Sequence, residues 1–263
     1  MTSEQVEGMD LPTASMLFAA GIAGGSLASM VGGASLVTFP AFLAAGLPPI
    51  TATASNITAV VPANIIAVFL DRSLLPPIDR NFFGLIAASV VGAVIGGFLL
   101  LNTPHRLFEV LIPVLLGFAT VIFACSPQIA AWLRARNEAH GRTKISVTSV
   151  PLLLPISVYG GYFGAGVGVL LLGVLSVVAE GDYRKANAIK NLVVAITTVV
   201  VVIYFTITGA VSWPQTAVMA AGATVGGFFG GRLGSWVSPR TMRFIVVGIG
   251  VALTAAYAWR YWF

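Results

Sequence analysis

The sequence is poor in charged residues. Asp, Glu, Lys and Arg make up 9% of its 263 residues, against about 25% in a typical soluble domain. Hydrophobic residues account for 57%, and the mean hydropathy is +0.95. So few polar side chains cannot cover a surface in water, which excludes an ordinary soluble domain. We predict instead an all-α integral membrane protein in a lipid bilayer, built from helices of about 20 apolar residues.

Residues that carry catalysis or hold metals are also scarce. Cys125 is the single cysteine, which excludes an intrachain disulfide and a thiolate metal cluster. His105 and His140 both fall between apolar segments. Since neither a nucleophile–base pair nor a metal-ligand spacing is present, the sequence predicts no enzyme, no metal and no cofactor. The net charge of +5 forms no basic stripe with aromatics, which argues against a nucleic-acid partner.

Apolar segments follow one another along the chain. Their approximate ranges are 13–45, 51–70, 81–101, 104–133, 148–179, 186–208, 213–234 and 239–262. The longest polar stretch, 134–147, divides them into two sets of four. We therefore predict a first repeat over 13–133, a cytoplasmic linker over 134–147 and a second repeat over 148–263.

Short motifs recur in the same order in both sets of segments. Their offsets stay between about 128 and 135 residues, and such internal repeats are typical of transporters. The corresponding motifs are Gly32-Gly33 with Gly160-Gly161, Ala54-Ser55-Asn56 with Ile189-Lys190-Asn191, and Gly92–Phe98 with Gly222–Phe228.

The first and fifth segments are too long for a single crossing. Each has about 32 residues, which as one helix would measure roughly 48 Å, against a hydrocarbon core of about 30 Å. Glycine pairs interrupt both near the middle, at Gly32-Gly33 and at Gly160-Gly161. Because glycine permits the dihedral angles of a helix break, we predict two shorter helices in each segment, joined at membrane depth.

The distribution of Lys and Arg tests how these segments cross. If all eight cross, the two faces share these residues almost evenly. If the first and fifth are re-entrant hairpins, Arg106 and Arg260 alone lie opposite a large positive cluster, as the positive-inside rule expects. We therefore predict two inverted repeats, each starting with a broken, re-entrant helix, and both termini on the periplasmic side. The cluster contains Arg72, Arg80, Arg134, Arg136, Arg142, Lys144, Arg184, Lys185, Arg232, Arg240 and Arg243.

The two glycine breaks are the leading candidates for a substrate site. Non-helical backbone at membrane depth is tolerated where protein or a watery cavity surrounds it, and half-helix N-termini there suit an anion. The alternative is that these glycines only permit close helix packing. The predicted substrate-binding residues are Gly32, Gly33, Ala34, Ser35, Asn56, Tyr159, Gly160, Gly161, Tyr162, Phe163, Asn187, Lys190 and Asn191.

Several polar residues leave two interpretations open. Lys190 either faces an anionic substrate or extends its ammonium group to the membrane interface. Asn56 and Asn191 either bond a neighbouring helix or contact the ligand. Acids for proton coupling are few, and Glu109 and Asp71 are the candidates.

Glycines spaced four residues apart lie on two further segments. They are Gly92 and Gly96 in the first half, and Gly222, Gly226 and Gly230 in the second. Such patterns let helices approach closely. They predict tight packing inside the bundle or, alternatively, a homodimer interface.

A family resemblance is carried by Gly32–Pro40, Gly46–Pro49, Ala54–Asn56, Tyr159–Gly168 and Ala186–Asn191. Through these stretches the chain resembles the sulfite exporter TauE/SafE family over nearly its whole length. Members often have a third glycine where this chain has Ala34, and an added methyl group there would narrow the cavity.

The resemblance implies a secondary transporter, a permease or exporter of small sulfur-containing anions such as sulfite or C2 organosulfonates. It implies a multi-pass protein of the bacterial inner membrane. We predict alternating access around a site at mid-membrane between the two broken helices, with the halves rocking. A channel-like or uniport pathway for another small anion is the alternative.

Overall fold

The structure is a computed structural model, and it describes residues 9–30, 32–76, 80–129, 131–132, 150–178, 182–233 and 239–262. These residues are helical apart from short turns and connections. Within the described ranges, six helices are long and apolar enough to cross a membrane. The prediction of an all-helical membrane protein is therefore confirmed, while the predicted linker 134–147 lies outside the described residues.

The first half contains helices α1 to α5. They are α1 Leu11–Met30, α2 Ser35–Ala44, α3 Pro49–Leu70, α4 Arg80–Asn102 and α5 His105–Ala124. Gly46, with φ +85°, ends α2 in a Schellman motif, because the Leu47 amide bonds the Phe42 carbonyl at 3.2 Å and the Gly46 amide bonds that of Leu43 at 3.0 Å. Pro49 then starts α3, where its fixed φ suits the first turn.

The second half contains helices α6 to α10. They are α6 Val150–Tyr162, α7 Val167–Val178, α8 Tyr183–Ile207, α9 Trp213–Leu233 and α10 Pro239–Trp262. Asp182 caps α8 by accepting hydrogen bonds from the amides of Arg184 and Lys185, at 2.9 and 3.2 Å. Gly209, with φ +69°, ends α8 as Gly46 ends α2.

Helices α1 and α9 run parallel in close contact. A Cβ atom built on Gly222 would lie 2.2 Å from the carbonyl oxygen of Phe18, and one built on Gly226 would lie 2.1 Å from that of Ile22. Ser26 Oγ also donates a 3.1 Å hydrogen bond to the Gly226 carbonyl. Because these contacts advance together along both helices, α1 and α9 point the same way.

Helices α4 and α6 repeat this arrangement. A Cβ atom built on Gly92 would lie 2.7 Å from the Leu154 carbonyl oxygen, and one on Gly96 would lie 2.0 Å from that of Val158. The predicted tight packing inside the bundle is confirmed at these glycines. The glycine faces are thus covered by helices of the same chain, and the homodimer stays a prediction.

Two further helix pairs run antiparallel. Trp262 Nε1 donates a 3.1 Å hydrogen bond to the Val110 carbonyl, so α10 ends where α5 begins. The Asp71 carboxylate lies 4.0 Å from the Arg184 guanidinium, so α3 ends where α8 begins. Of the long apolar helices, α3 and α8 are the most buried and α10 the least. These directions place Arg72, Arg80, Arg184, Lys185 and Arg243 at one end of the bundle, and Arg106 and Arg260 at the other.

Candidate functional site

The first helix break joins α1 to α2. Helix α1 ends at Met30 and α2 begins at Ser35. Between them, Gly32 and Gly33 have φ angles of +85° and +100°, which glycine adopts without steric strain. The predicted break of the first segment at these two glycines is therefore confirmed. Ala34 has a φ of −46°, so its backbone does not require a glycine.

The second break lies later in the chain than the sequence indicated. It was predicted at Gly160 and Gly161, but both lie within α6, and the chain turns instead at Gly164 and Gly166, each with φ +78°. A Cβ atom on Gly161 would lie 2.0 Å from the carbonyl oxygen of Ala93 on α4. The predicted position is therefore wrong, and the packing interpretation applies to Gly161.

The two breaks meet beside a small cavity. A Cβ atom built on Gly32 would lie 2.8 Å from the Cα atom of Gly168 in the first turn of α7. The cavity has a volume of about 60 Å³, and since about 10–15 Å³ accommodates one water, it has room for a few waters or a small ion. It is lined by Ala28, Gly32, Gly33, Ala34, Ser35, Ile57, Val60, Asn64, Gly160, Gly164, Val167, Gly168, Lys190, Val194 and Thr198.

Two helices begin at this cavity. Ser35 starts α2 and Val167 starts α7, and both residues line the cavity wall. The N-terminus of a helix carries about half an elementary positive charge on its free N–H groups. With two such ends at one cavity, the local potential suits an anion.

Lys190 adds an amino group, positively charged when protonated, to the same cavity. The residue is 1% exposed, so its ammonium group does not extend to the membrane interface. Lys190 Nζ donates a 3.0 Å hydrogen bond to the carbonyl oxygen of Ala28. Its burial and its place in the cavity wall argue against the interpretation in which the ammonium group extends to the interface, and ligand binding by Lys190 stays a prediction.

The end of α1 is bonded to α8 at two successive carbonyls. Asn187 Nδ2 donates a 3.0 Å hydrogen bond to the Ser29 carbonyl, next to the Ala28 carbonyl that binds Lys190. Because the C-terminus of a helix carries partial negative charge, it stabilises an ammonium group without a carboxylate. An ammonium group has three donors, and the hydrogen bond to Ala28 uses one of them, so within the described residues two N–H groups remain for a ligand in the cavity.

Asn56 is bonded to the neighbouring helix α2. Its Nδ2 donates a 2.9 Å hydrogen bond to Ser35 Oγ, and its Oδ1 accepts a hydrogen bond from Thr38 Oγ1. Both polar atoms of the amide are thus satisfied by protein. For Asn56, the helix-bonding interpretation is the one that the contacts support.

Asn191 has a different environment. It is 0% exposed, and neither Nδ2 nor Oδ1 has a hydrogen-bond partner among the described residues. The Oδ1 atom of Asn187 is likewise unpaired within that part of the chain. Neither asparagine lines the cavity, although both lie within one turn of Lys190 on α8.

The three predicted aromatic residues pack around the second break. The Tyr159 hydroxyl donates a 2.7 Å hydrogen bond to the Ala165 carbonyl, and the Tyr162 hydroxyl shares a 3.2 Å hydrogen bond with Thr103 Oγ1. Phe163 is 1% exposed within the main hydrophobic core. In the described ranges none of the three lines the cavity, so they support the turn rather than its wall.

The candidate coupling acids lie away from the cavity. Asp71 faces Arg184 at the end of the bundle, and Glu109 is half-buried near the start of α5. Neither contributes to the cavity wall. The described residues contain no group of three His, Cys, Asp or Glu side chains that could hold a metal ion.

Sequence reasoning missed the cavity-lining residues that α3 and α8 contribute, apart from Lys190. Val194 and Thr198 follow Lys190 at intervals of four, which places them on the same helix face. This spacing was the available signal. Both residues also line a neighbouring cavity of about 20 Å³, together with Ser157 and Thr197. Polar Asn64 within the apolar α3 was a second signal.

Known proteins resemble this chain over most of its length. The family described as Sulfite exporter TauE/SafE matches residues 17–257. A probable membrane transporter protein of Escherichia coli strain K12, YfcA, is 24% identical over 246 residues, covering 91% of this chain and 87% of its own length. A probable membrane transporter protein of Sinorhizobium, ORF9, is 26% identical over 240 residues, covering 90% and 89%. One from Haemophilus influenzae is 23% identical over 251 residues, covering 94% of both. No solved structure gives a significant match.

Proposed function

The chain belongs to the sulfite exporter TauE/SafE family, and we propose that this membrane transporter carries small sulfur-containing anions such as sulfite or C2 organosulfonates. The observation that carries the proposal is the meeting of Lys190 with the N-termini of α2 and α7 at one small cavity. All three supply positive charge, and no acid lines that cavity within the described residues. We assign the substrate contacts to the predicted residues that line it, which are Gly32, Gly33, Ala34, Ser35, Gly160 and Lys190.

The two halves are proposed to be inverted repeats. Helix α1 is parallel to α9, as α6 is parallel to α4, so exchanging the halves preserves the packing. By these directions the α1–α2 hairpin starts and ends near Arg106, whereas the α6–α7 hairpin starts and ends near Arg184. This arrangement supports two re-entrant hairpins that enter from opposite faces.

The sidedness follows from charge. We place the Arg184 end in the cytoplasm, because Lys and Arg concentrate on the cytoplasmic side of bacterial membrane proteins. The linker 134–147 would then be cytoplasmic, and both termini periplasmic. An inner-membrane location fits this proposal and the bacterial origin of the relatives.

Alternating access would occur between rigid pairs of helices. The backbone-to-backbone contacts of α1 with α9 and of α4 with α6 leave little freedom within each pair, so each pair moves as one body. The hydrogen bonds from Lys190 and Asn187 to the end of α1 lie between the cavity and the Arg184 end. Rocking that separates α1 from α8 would open the cavity to that side.

A channel-like or uniport pathway is the second candidate. It is favoured by one observation, namely that neither Asp71 nor Glu109 lines the cavity. A proton relay normally uses acids or histidines within the membrane. Transport without proton coupling would therefore agree with the described cavity wall.

Binding to the purified protein tests the substrate class. The ligands are sulfite, thiosulfate, sulfate, taurine, sulfoacetate and isethionate, with choline as a cationic control. We expect saturable binding of at least one sulfur-containing anion and none of choline. Binding of choline, or of none of the anions, would contradict the proposal.

Uptake into proteoliposomes separates the two transport mechanisms. A carrier gives a rate that saturates with the concentration of the bound anion, whereas a channel gives a rate that rises in proportion to it. The measurement is repeated with and without an imposed proton gradient. Acceleration by the gradient would contradict the uncoupled pathway.

A further inference from the structure

The two halves differ at one pair of corresponding asparagines. Asn56 on α3 bonds Ser35 and Thr38, the first and fourth residues of α2. In the second half, Asn191 on α8 corresponds to Asn56. The first and fourth residues of α7 are Val167 and Leu170, which carry no hydroxyl group. Asn191 therefore lacks the partners that satisfy Asn56.

The unpaired state of Asn191 calls for a partner. Its amide is 0% exposed, and both polar atoms are without a hydrogen bond in the part of the chain described. Buried side-chain amides in folded proteins nearly always have a partner, because leaving them unpaired is unfavourable. The counterpart Asn56 shows that this fold can supply one, so the missing hydroxyls are a property of the second half.

The position of Asn191 points to the ligand as that partner. Lys190 is its neighbour, and Val194 and Thr198, three and seven residues further on, line both cavities. At 3.6 residues per turn, Asn191 lies within roughly 20° of Thr198 around the helix axis. Its amide therefore lies at the edge of the cavity face of α8.

We propose that Asn191 is a substrate-binding residue, whereas Asn56 is a structural residue that holds α2. This proposal rests on the anion transport proposed above. The Asn191 amide donates to one oxygen of the anion while Lys190 balances its charge. Because residues 190 and 191 diverge by about 100° around the helix axis, their donors match the separate oxygen atoms of an oxyanion such as a sulfonate better than a single halide ion such as chloride.

A pair of matched substitutions tests the difference between the asparagines. Asn191→Leu removes no hydrogen bond within the described protein and removes two unpaired polar atoms, so the variant should unfold at or above the wild-type temperature. Its affinity for isethionate or sulfite should fall by about 10-fold or more, because hydrogen bonds to charged groups are strong. Asn56→Leu removes the bonds to α2 and should lower the unfolding temperature. Unchanged affinity in Asn191→Leu would overturn the assignment.

A second experiment leaves Asn191 intact. Val167→Ser places a hydroxyl where Ser35 stands in the first half, so that Asn191 gains a protein partner that competes with the anion. Val167→Ala is the control, since it removes similar volume without adding a hydroxyl. We expect weaker oxyanion binding in Val167→Ser than in Val167→Ala. Equal affinities in the two variants would count against the proposal.

The outcomes separate the two proposals. If the wild-type protein binds none of the sulfur-containing anions, the proposed function fails and the assignment of Asn191 fails with it. If the wild type binds an oxyanion and Asn191→Leu binds it equally well, only the assignment fails. Chloride that competes with isethionate at equal concentration in the wild type would contradict the preference for an oxyanion over a halide.

Discussion

At the scale of single residues, Lys190 places a cationic side chain in the membrane at a cavity that no acid lines within the described residues. A lysine near the centre of a spanning helix costs about 2.5–3.5 kcal/mol. The hydrogen bond to Ala28 at the end of α1 offsets at most about 2 kcal/mol of this cost through the helix dipole. An anion in the cavity would offset the remainder, which is consistent with the proposed role of Lys190 in ligand binding.

Replacing Lys190 with Met tests this balance. The variant keeps the length of the side chain and removes its charge, so anion affinity should fall by about 10-fold or more. Thermal stability should stay the same or rise, because no charge is then buried. Titration calorimetry and thermal unfolding in detergent measure the two effects. Lys185→Met is the control, since the Lys185 side chain is 57% exposed, and equal affinity in both variants would contradict the role of Lys190.

Comparing Gly32 with Gly46 separates two contributions at the first break, namely the strain of left-handed backbone and the closeness of the packing. Both have a φ of +85°, but a Cβ atom on Gly46 meets nothing within 4 Å, whereas one on Gly32 meets Gly168 backbone at 2.8 Å. Gly46→Ala should cost about 1–2 kcal/mol, the cost of left-handed backbone. Gly32→Ala should cost more and also weaken anion binding. Chemical denaturation and the binding assay compare them, and equal losses would show that the contact is unimportant.

At the scale of helices, the sequence predicted the spanning segments well because they depend on local composition. The first break was predicted correctly, since Gly32 and Gly33 occupy the turn itself. The second was misplaced because Gly161 and Gly164 look alike in an apolar run. Only the neighbouring helix α4 distinguishes them: Gly161 packs against Ala93, and Gly164 turns the chain.

The candidate site was predicted in part for a similar reason. Its backbone and Lys190 follow from broken helices and a buried charge, which are visible in the sequence. The direction in which a side chain points is set by tertiary packing, which the sequence does not show. Tyr159 and Asn56 were predicted to bind substrate, but Tyr159 bonds the Ala165 carbonyl and Asn56 bonds α2. The hydroxyls at the first and fourth residues of α2 are replaced by Val167 and Leu170 in α7, and the importance of this difference likewise follows only from how the helices pack.

The contact of α6 with α4 gives a prediction at the scale of helices. Gly161→Ala would push a methyl group against the Ala93 carbonyl, 2.0 Å away, and should destabilise the protein by about 1–3 kcal/mol through overpacking. Gly84→Ala on α4 is the control, because a Cβ atom there meets nothing within 4 Å, and it should stabilise the helix by up to about 1 kcal/mol. Unfolding curves recorded in detergent measure the stability of both variants. Similar stability in the two would show that α4 and α6 separate easily.

At the scale of the whole molecule, two independent observations favour the same topology. The distribution of Lys and Arg uses only the sequence, and it favours re-entrant first and fifth segments. The helix directions use only packing, and they bring the end of α3 beside the start of α8 through Asp71 and Arg184. Eight simple crossings would put these two points on opposite faces. Agreement between charge and packing therefore supports hairpins over full crossings.

Cysteine labelling tests that topology directly. In a Cys125→Ser background, single cysteines replace Ser73 and Arg184 at one end of the bundle, and His105 and Thr208 at the other; all four are exposed. A membrane-impermeant maleimide is applied to spheroplasts and to inverted vesicles. We expect the first two positions to react only in inverted vesicles and the other two only in spheroplasts. The decisive pair is Ser73 and Arg184, because labelling of these two positions from opposite faces would require full crossings and would contradict the inverted repeat.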